Sequence, residues 1–214
     1  LLASTGQPFI LDFKPGGNTV IGNNFVAKAK PDGHIWLVSA SGLTIIPAFT
    51  PELPYDTLKD LAPVSLVTKR AMMLMVRASL PVNTYQEYIA YAKANPEKPT
   101  YGYSSGSSLL VGSWLHSLSG TRVTFVGYKG VGPASTDLIA GRLDLLSSTI
   151  AAALPMMKAG KVRAISVLGT RRNKLLPDLP TVPDQGLPEF EYAGNWFGVL
   201  APAATPPDVI NRLA

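Results

Sequence analysis

The sequence contains no cysteine. That excludes disulfides, thiolate metal sites and thiol nucleophiles, and it is compatible with an oxidising compartment. Histidine occurs only twice, at His34 and His116, so imidazole base chemistry has few candidates. Charged residues make up 15% of the chain against 46% hydrophobic, which is too apolar and too weakly charged for disorder. No run of about 20 apolar residues could span a bilayer, so a soluble chain without direct membrane insertion is expected. The net charge is +5, but the basic residues are scattered. Lys69-Arg70 and Arg171-Arg172-Asn173-Lys174 form only short clusters, read as solvated surface, and the aromatics are not interleaved with them as a nucleic-acid partner would require. The opening "LLASTGQPFILDF" lacks a basic segment and a small-residue cleavage site, so any export signal is expected to have been removed.

What is present is alternation. A chain of 214 residues suits one α/β domain or two lobes of about 100 residues each. Apolar runs at 8–13, 34–40, 64–68, 72–77, 100–104, 123–127, 143–147, 162–169 and 196–202 read as strands. Helical spacing covers 18–29, a piece from Leu43, 84–95, 107–118, 133–140, 151–159 and 206–214. Thr84-Tyr85-Gln86-Glu87 has capping-box spacing and Pro96 stops that helix. Four helices between successive strands predict right-handed βαβ units and a mainly parallel sheet. No internal repeat or low-complexity tract occurs.

Gly102-Tyr103-Ser104-Ser105-Gly106 fits the G-x-S-x-G pattern of a serine hydrolase's nucleophile elbow. A hydrolase acting through Ser104 is the alternative reading, and it lacks a base. No histidine follows His116, which lies twelve residues past Ser104 on the helix the elbow would launch, on the order of 14 Å along its axis. His34 opens an early strand, and no S-x-x-K occurs for a lysine dyad. Gly130-Val131-Gly132-Pro133 lacks the third glycine and the acid of a dinucleotide loop and reads as a turn with Pro133 at the first helical position. Met72, Met73 and Met75 read as strand core, with no His or Cys nearby for a soft metal. No metal or cofactor is expected.

Several strands instead end in small hydroxyl residues at helix starts: Ser39-Ala40-Ser41-Gly42, the Ser104–Ser108 loop, Tyr128-Lys129-Gly130 and Ser147-Ser148-Thr149. In a parallel sheet these strand ends share one edge, where helix N-termini and hydroxyls favour an anion such as a carboxylate.

"GQPFILDFKPGGNTVIGNNFVAKAKPDGHIWLVSASG", "LPYDTLKDLAPVSLV", "ASLPVNTYQEYIAYAKANPEKPTYGYSSG", "VGYKGVGPASTDLIAGRLDLL", "MMKAGKVRAISVLGTRRNKLLPDLPTVPDQGLPEFE" and "WFGVLAPAATPPDVINRL" together resemble the solute-binding receptors of tripartite tricarboxylate transporters, the Bug-type periplasmic proteins, over nearly the whole chain. The resemblance implies a two-lobed, type II-like periplasmic binding protein of α/β class with mainly parallel sheets. Lobe one would comprise 1–77 and 194–214, and lobe two 78–193. It implies a monomeric, non-enzymatic receptor in the periplasm that takes a small organic acid in an interlobe cleft and hands it to membrane permease subunits. Ser39, Ser41, Gly42 and Thr44 would serve from lobe one; Ser104, Ser105, Gly106, Ser107, Ser108, Tyr128, Ser147, Ser148 and Thr149 would serve from lobe two.

Three departures from the family pattern carry expectations. A first strand with its loop and a C-terminal helical stretch are missing, so the chain reads as truncated at both ends. The Pro-His that commonly follows the loop serines is Leu109-Leu110, which suggests an apolar or aromatic ligand body. The usual Phe-Asp-Asn is Ser147-Ser148-Thr149; without that carboxylate a ligand ammonium lacks a counter-charge, so a ligand without an amino group is expected.

Overall fold

The structure, a computed structural model, describes residues 6–14, 16–192 and 194–214. The chain divides into two compact units, Leu1–Val67 with Phe197–Ala214, and Thr68–Trp196.

In the first unit a 3-10 turn at Gly17–Thr19 leads into helix α1 (Val20–Ala27), followed by strand β1 (Leu37–Ala40) and helix α2 (Gly42–Phe49). Strands β2 (Leu61–Arg70) and β8 (Asn195–Pro202) complete a three-stranded sheet in the order β1-β8-β2, and helix α7 (Pro207–Leu213) ends the chain. Strand β1 runs antiparallel to β8, Leu37 opposite Leu200, so the expected parallel pairing does not hold here. Pro63 lies in β2, which stands at the end of the sheet order, the kind of strand in which proline is tolerated. Val26, Leu43, Ile46, Tyr55 and Leu61 are buried, and Asn23 Nδ2 donates to the Tyr55 hydroxyl at 2.9 Å.

Two expected strands change here. Residues 8–13 form none: Ile10, Leu11 and Phe13 are exposed, and no described strand pairs with them to take their backbone hydrogen bonds. The strand expected from His34 begins only at Leu37, because local turn bonds claim the residues before it. His34 N donates to Asp32 Oδ1 at 3.1 Å, and Trp36 Nε1 donates to Gly33 O at 2.7 Å.

The second unit carries strands β3 (Met72–Arg77), β4 (Thr100–Tyr103), β5 (Thr124–Gly127), β6 (Leu145–Thr149) and β7 (Val162–Leu168). Its helices are α3 (Tyr85–Ala94), α4 (Gly106–Ser119), α5 (Val131–Ile139) and α6 (Ile150–Lys158). The sheet order is β5-β4-β6-β3-β7. Strand β4 is parallel to β5 and to β6, as the intervening helices require, whereas β3 is antiparallel to both its neighbours. "MMLMVR" is a continuous apolar run because both faces of β3 are covered. Met72, Leu74 and Val76 enter one core with Tyr85, Tyr101 and Leu115, while Met73 and Met75 enter the other with Leu138, Leu146 and Ile150. That central position places β3 in the second unit, so the chain passes between units at Val67–Thr68 rather than after Arg77.

Helix α3 starts where the capping pattern predicts, with Thr84 Oγ1 accepting from Glu87 N at 3.1 Å. The Glu87 carboxylate reaches one residue further back, to Asn83 N at 2.6 Å. Helix α5 begins at Val131, so Pro133 sits third rather than first. Among the described residues no helix is long and apolar enough to cross a membrane, and no group of His, Asp and Glu could hold a metal ion.

Candidate functional site

The ends of β4 and β6 and the starts of α4 and α6 enclose a cavity of about 300 Å³ within the second unit. Helix α4 begins on a dense serine network. Ser104 N and Ser105 N both donate to Ser108 Oγ at 3.0 Å, that hydroxyl donates to Ser105 O at 2.9 Å, and Ser108 N donates to Ser105 Oγ at 3.3 Å. Amides that the sequence offered to a ligand are therefore consumed by a capping box. The amides of Gly106 and Ser107, first in the helix, have no partner among the described residues. Ser107 lines the cavity, as do Ser104, Ser105 and Ser108; Gly106 is not in the lining.

Strand β6 supplies the other polar wall, Ser147, Ser148 and Thr149. Thr149 caps α6, accepting from Ala152 N at 3.3 Å, which leaves its own proton to donate. Tyr101 Oη lies 2.9 Å from Ser108 O and 2.9 Å from Ser147 Oγ. Burial pushes the Tyr101 phenol's pKa upward, so it stays a neutral donor with a single proton. A carbonyl cannot donate, so both contacts are satisfied when Tyr101 donates to Ser108 O and Ser147 donates to Tyr101. Ser148 is 1% exposed and its Oγ has no partner.

Arg70 is the one charged residue among the described residues lining this cavity; Met72, Val111 and Val131 supply apolar wall, and Tyr192 and Asn195 close it. In the sequence Arg70 reads as solvated surface and Met72 as strand core. The Lys69-Arg70 pair, read there as solvated surface, lines a second, wider concavity of about 630 Å³ that shares Arg70, Thr149 and Ala152 with the first. Leu109 and Leu110 are half-buried and outside the lining, so the apolar wall is not where the sequence suggested. Tyr128 is outside it too: its hydroxyl donates to Asp137 Oδ2 at 2.9 Å, and Arg142 holds that carboxyl below its usual range.

In the first unit Ser39, Ser41, Gly42 and Thr44 gather where β1 meets α2. Thr44 Oγ1 donates to Ser41 O at 2.9 Å, while the buried Ser41 Oγ has no partner and the space beside Gly42 is open.

Among the described residues, none in the cavity wall can act as a base for Ser104. Among the described lining residues there is no His, Lys, Asp or Glu. His116 is buried on α4, its Nδ1 2.7 Å from Thr121 Oγ1, among the rings of Tyr88, Tyr101 and Phe125. Burial pushes its pKa down to about 4.

The model of the tripartite tricarboxylate transporter family receptor matches residues 2–214. The chain belongs to that receptor family. Among its relatives, the UPF0065 protein in the tcbD-tcbE intergenic region of Pseudomonas sp. strain P51 is 34% identical over 213 residues, covering 98% of this chain and 63% of that protein. The chain thus spans less than two thirds of that relative's length. Among solved structures, Rpa4515 of R. palustris with adipate is 30% identical with a TM-score of 0.83, covering 99% of this chain and 72% of that one. MatC (Rpa3494) from Rhodopseudomonas palustris with bound malate is likewise 30% identical, with a TM-score of 0.82 over 99% of this chain and 73% of that one. The fold of this receptor family is therefore the α/β periplasmic-binding-protein fold expected from the sequence.

Proposed function

We propose that the chain is a periplasmic solute receptor that binds a small organic acid without chemical conversion and delivers it to the permease subunits of a tripartite tricarboxylate transporter. The observation that carries this reading is the second-unit cavity itself. Its wall offers serine and threonine hydroxyls, the Ser107 amide at the start of α4 and the Arg70 side chain. Charge-assisted hydrogen bonds from such donors favour a carboxylate over a neutral or cationic group. The adipate and malate of two structural neighbours belong to the same chemical class.

In this reading Ser104, Ser105, Ser107, Ser108, Ser147, Ser148 and Thr149 form the ligand wall in the second unit. The protein acts as a monomer. That no described lining residue can act as a base for Ser104 supports binding over hydrolysis. A thermal-shift screen of mono-, di- and tricarboxylates tests this: stabilisation that grows with ligand concentration is expected. Ester turnover that disappears in Ser104→Ala would replace the receptor with an enzyme.

A further inference from the structure

The two short basic clusters of the sequence, Lys69-Arg70 and Arg171-Arg172-Asn173-Lys174, converge on one place. Lys69, Arg70, Asn173 and Leu175 line the wider concavity of about 630 Å³ in the second unit, together with the start of α6. Lys69, Ala151 and Leu175 are exposed, so this is open surface beside the serine cavity and not a chamber that encloses a small ligand.

The turn that carries Leu175 is fixed. Leu176 N donates to Asn173 O at 3.0 Å and Leu175 N donates to Asn173 Oδ1 at 2.9 Å, while Leu176 and Leu179 pack against the core that holds Met73 and Met75. Its two middle residues, Lys174 and Leu175, are exposed, Leu175 at 64%. A lone exposed leucine is ordinary; one set on a rigid turn at a basic concavity is an anchor whose ordering cost is already met.

The charge around it has one sign. Lys69, Arg171 and Lys174 make no ion pair among the described residues, whereas Arg172 engages Asp184 at 3.4 Å; Asp178 is the loop's own acid. At the start of α6, Ile150 N donates to Ala71 O at 3.2 Å and Ala152 N to Thr149 Oγ1 at 3.3 Å. The Ala151 amide between them has no partner among the described residues.

We propose that this concavity docks an acidic segment of a partner protein, its carboxylates set against Lys69, Lys174 and the Ala151 amide and an apolar side chain packed on Leu175 and Ile150. Charge complementarity selects the occupant. Shape separates it from a lipid surface: Ile150 lines the concavity yet is 2% exposed, so an inserted side chain reaches it and a planar headgroup layer does not. The proposal goes beyond the receptor reading and does not depend on which acid the serine cavity takes.

The probe is a short dye-labelled peptide of one leucine flanked by glutamates, titrated against the full chain by fluorescence anisotropy at low salt. Versions with serine for leucine and with lysine for glutamate accompany it. The first peptide is expected to bind saturably, and the lysine version not at all. Lys69→Glu and Lys174→Glu should each weaken binding at least about tenfold by setting like charges together. Leu175→Ser, and the serine peptide on the unaltered chain, should each weaken it about fivefold through lost apolar packing. Lys98→Glu makes the same charge change at an exposed position of the same unit outside the concavity, and should leave affinity within about twofold. Weakening by Lys98→Glu as large as by Lys69→Glu would overturn the site, since binding would then follow net charge alone. No binding of the first peptide would also overturn it. Sedimentation with phosphatidylglycerol vesicles that depends on Lys69 and Lys174, in place of peptide binding, would overturn it in favour of a lipid surface. Each result leaves the receptor reading to its own carboxylate screen, because Lys69, Lys174 and Leu175 lie outside the serine cavity.

Discussion

The Tyr101 hydroxyl lies 2.9 Å from Ser147 Oγ, a contact that ties β4 to β6 through a residue of the cavity wall. The same hydroxyl reaches Ser108 O at the first turn of α4. Tyr101→Phe keeps the ring but strips both contacts, and unfolding in urea is expected to show a loss of about 1–2 kcal/mol with an unchanged slope.

Gly112 makes room for that tyrosine. A Cβ there would stand well inside van der Waals contact with Tyr101 Cε1. Gly112→Ala would gain about 1 kcal/mol of helix propensity alone, yet overpacking of about 1–3 kcal/mol is expected to dominate and lower the melting temperature. Combined with Tyr101→Leu, which clears the space, the same alanine should become neutral or stabilising. Additive effects in the double variant would refute the steric account.

At the starts of β4 and β6, Asp144 accepts from Arg77 Nε at 2.7 Å, Thr100 N at 3.0 Å and Thr100 Oγ1 at 3.1 Å, with its side chain 13% exposed. It joins three strands of the sheet at one point. Asp144→Ala leaves a largely buried guanidinium and an amide without their acceptor and should cost roughly 3 kcal/mol. The exposed pair Arg122–Glu97, at 4.0 Å, should contribute almost nothing when broken.

His116 gives stability a pH dependence. Burial lowers its pKa from 6.5 to about 4, so below pH 6.5 the unfolded chain takes up a proton that the folded chain refuses. Stability is therefore expected to fall as pH drops from 6.5 towards 4, by up to roughly 3 kcal/mol from this group. His116→Gln should flatten that part of the profile, measured by denaturation at several pH values.

The elements legible in the sequence are those whose signals are local. The Thr84 cap and the apolar run of β3 each depend on neighbours a few residues away or on simple two-sided burial. The antiparallel insertion of β3 between β6 and β7 depends on long-range pairing, and the apolar run 8–13 needed a partner strand to become one. The serines of the cavity were readable from strand ends meeting helix starts. Arg70, Tyr192 and Asn195 were not, because they come from segments distant in sequence that carry no motif. Leu109 and Leu110 misled because adjacency in the chain does not settle which side of a helix faces the cavity.

The central claim, a carboxylate held by the serine wall and Arg70, is tested most directly by measuring dicarboxylate affinity in the unaltered chain and in Arg70→Gln, beside the corresponding diamides. The account predicts saturable binding of the acids, no detectable binding of the diamides, and at least about tenfold weaker binding in the variant, the share expected of one charge-assisted hydrogen bond. Equal affinity for acids and diamides, or an Arg70→Gln variant that binds the acids unchanged, would contradict it.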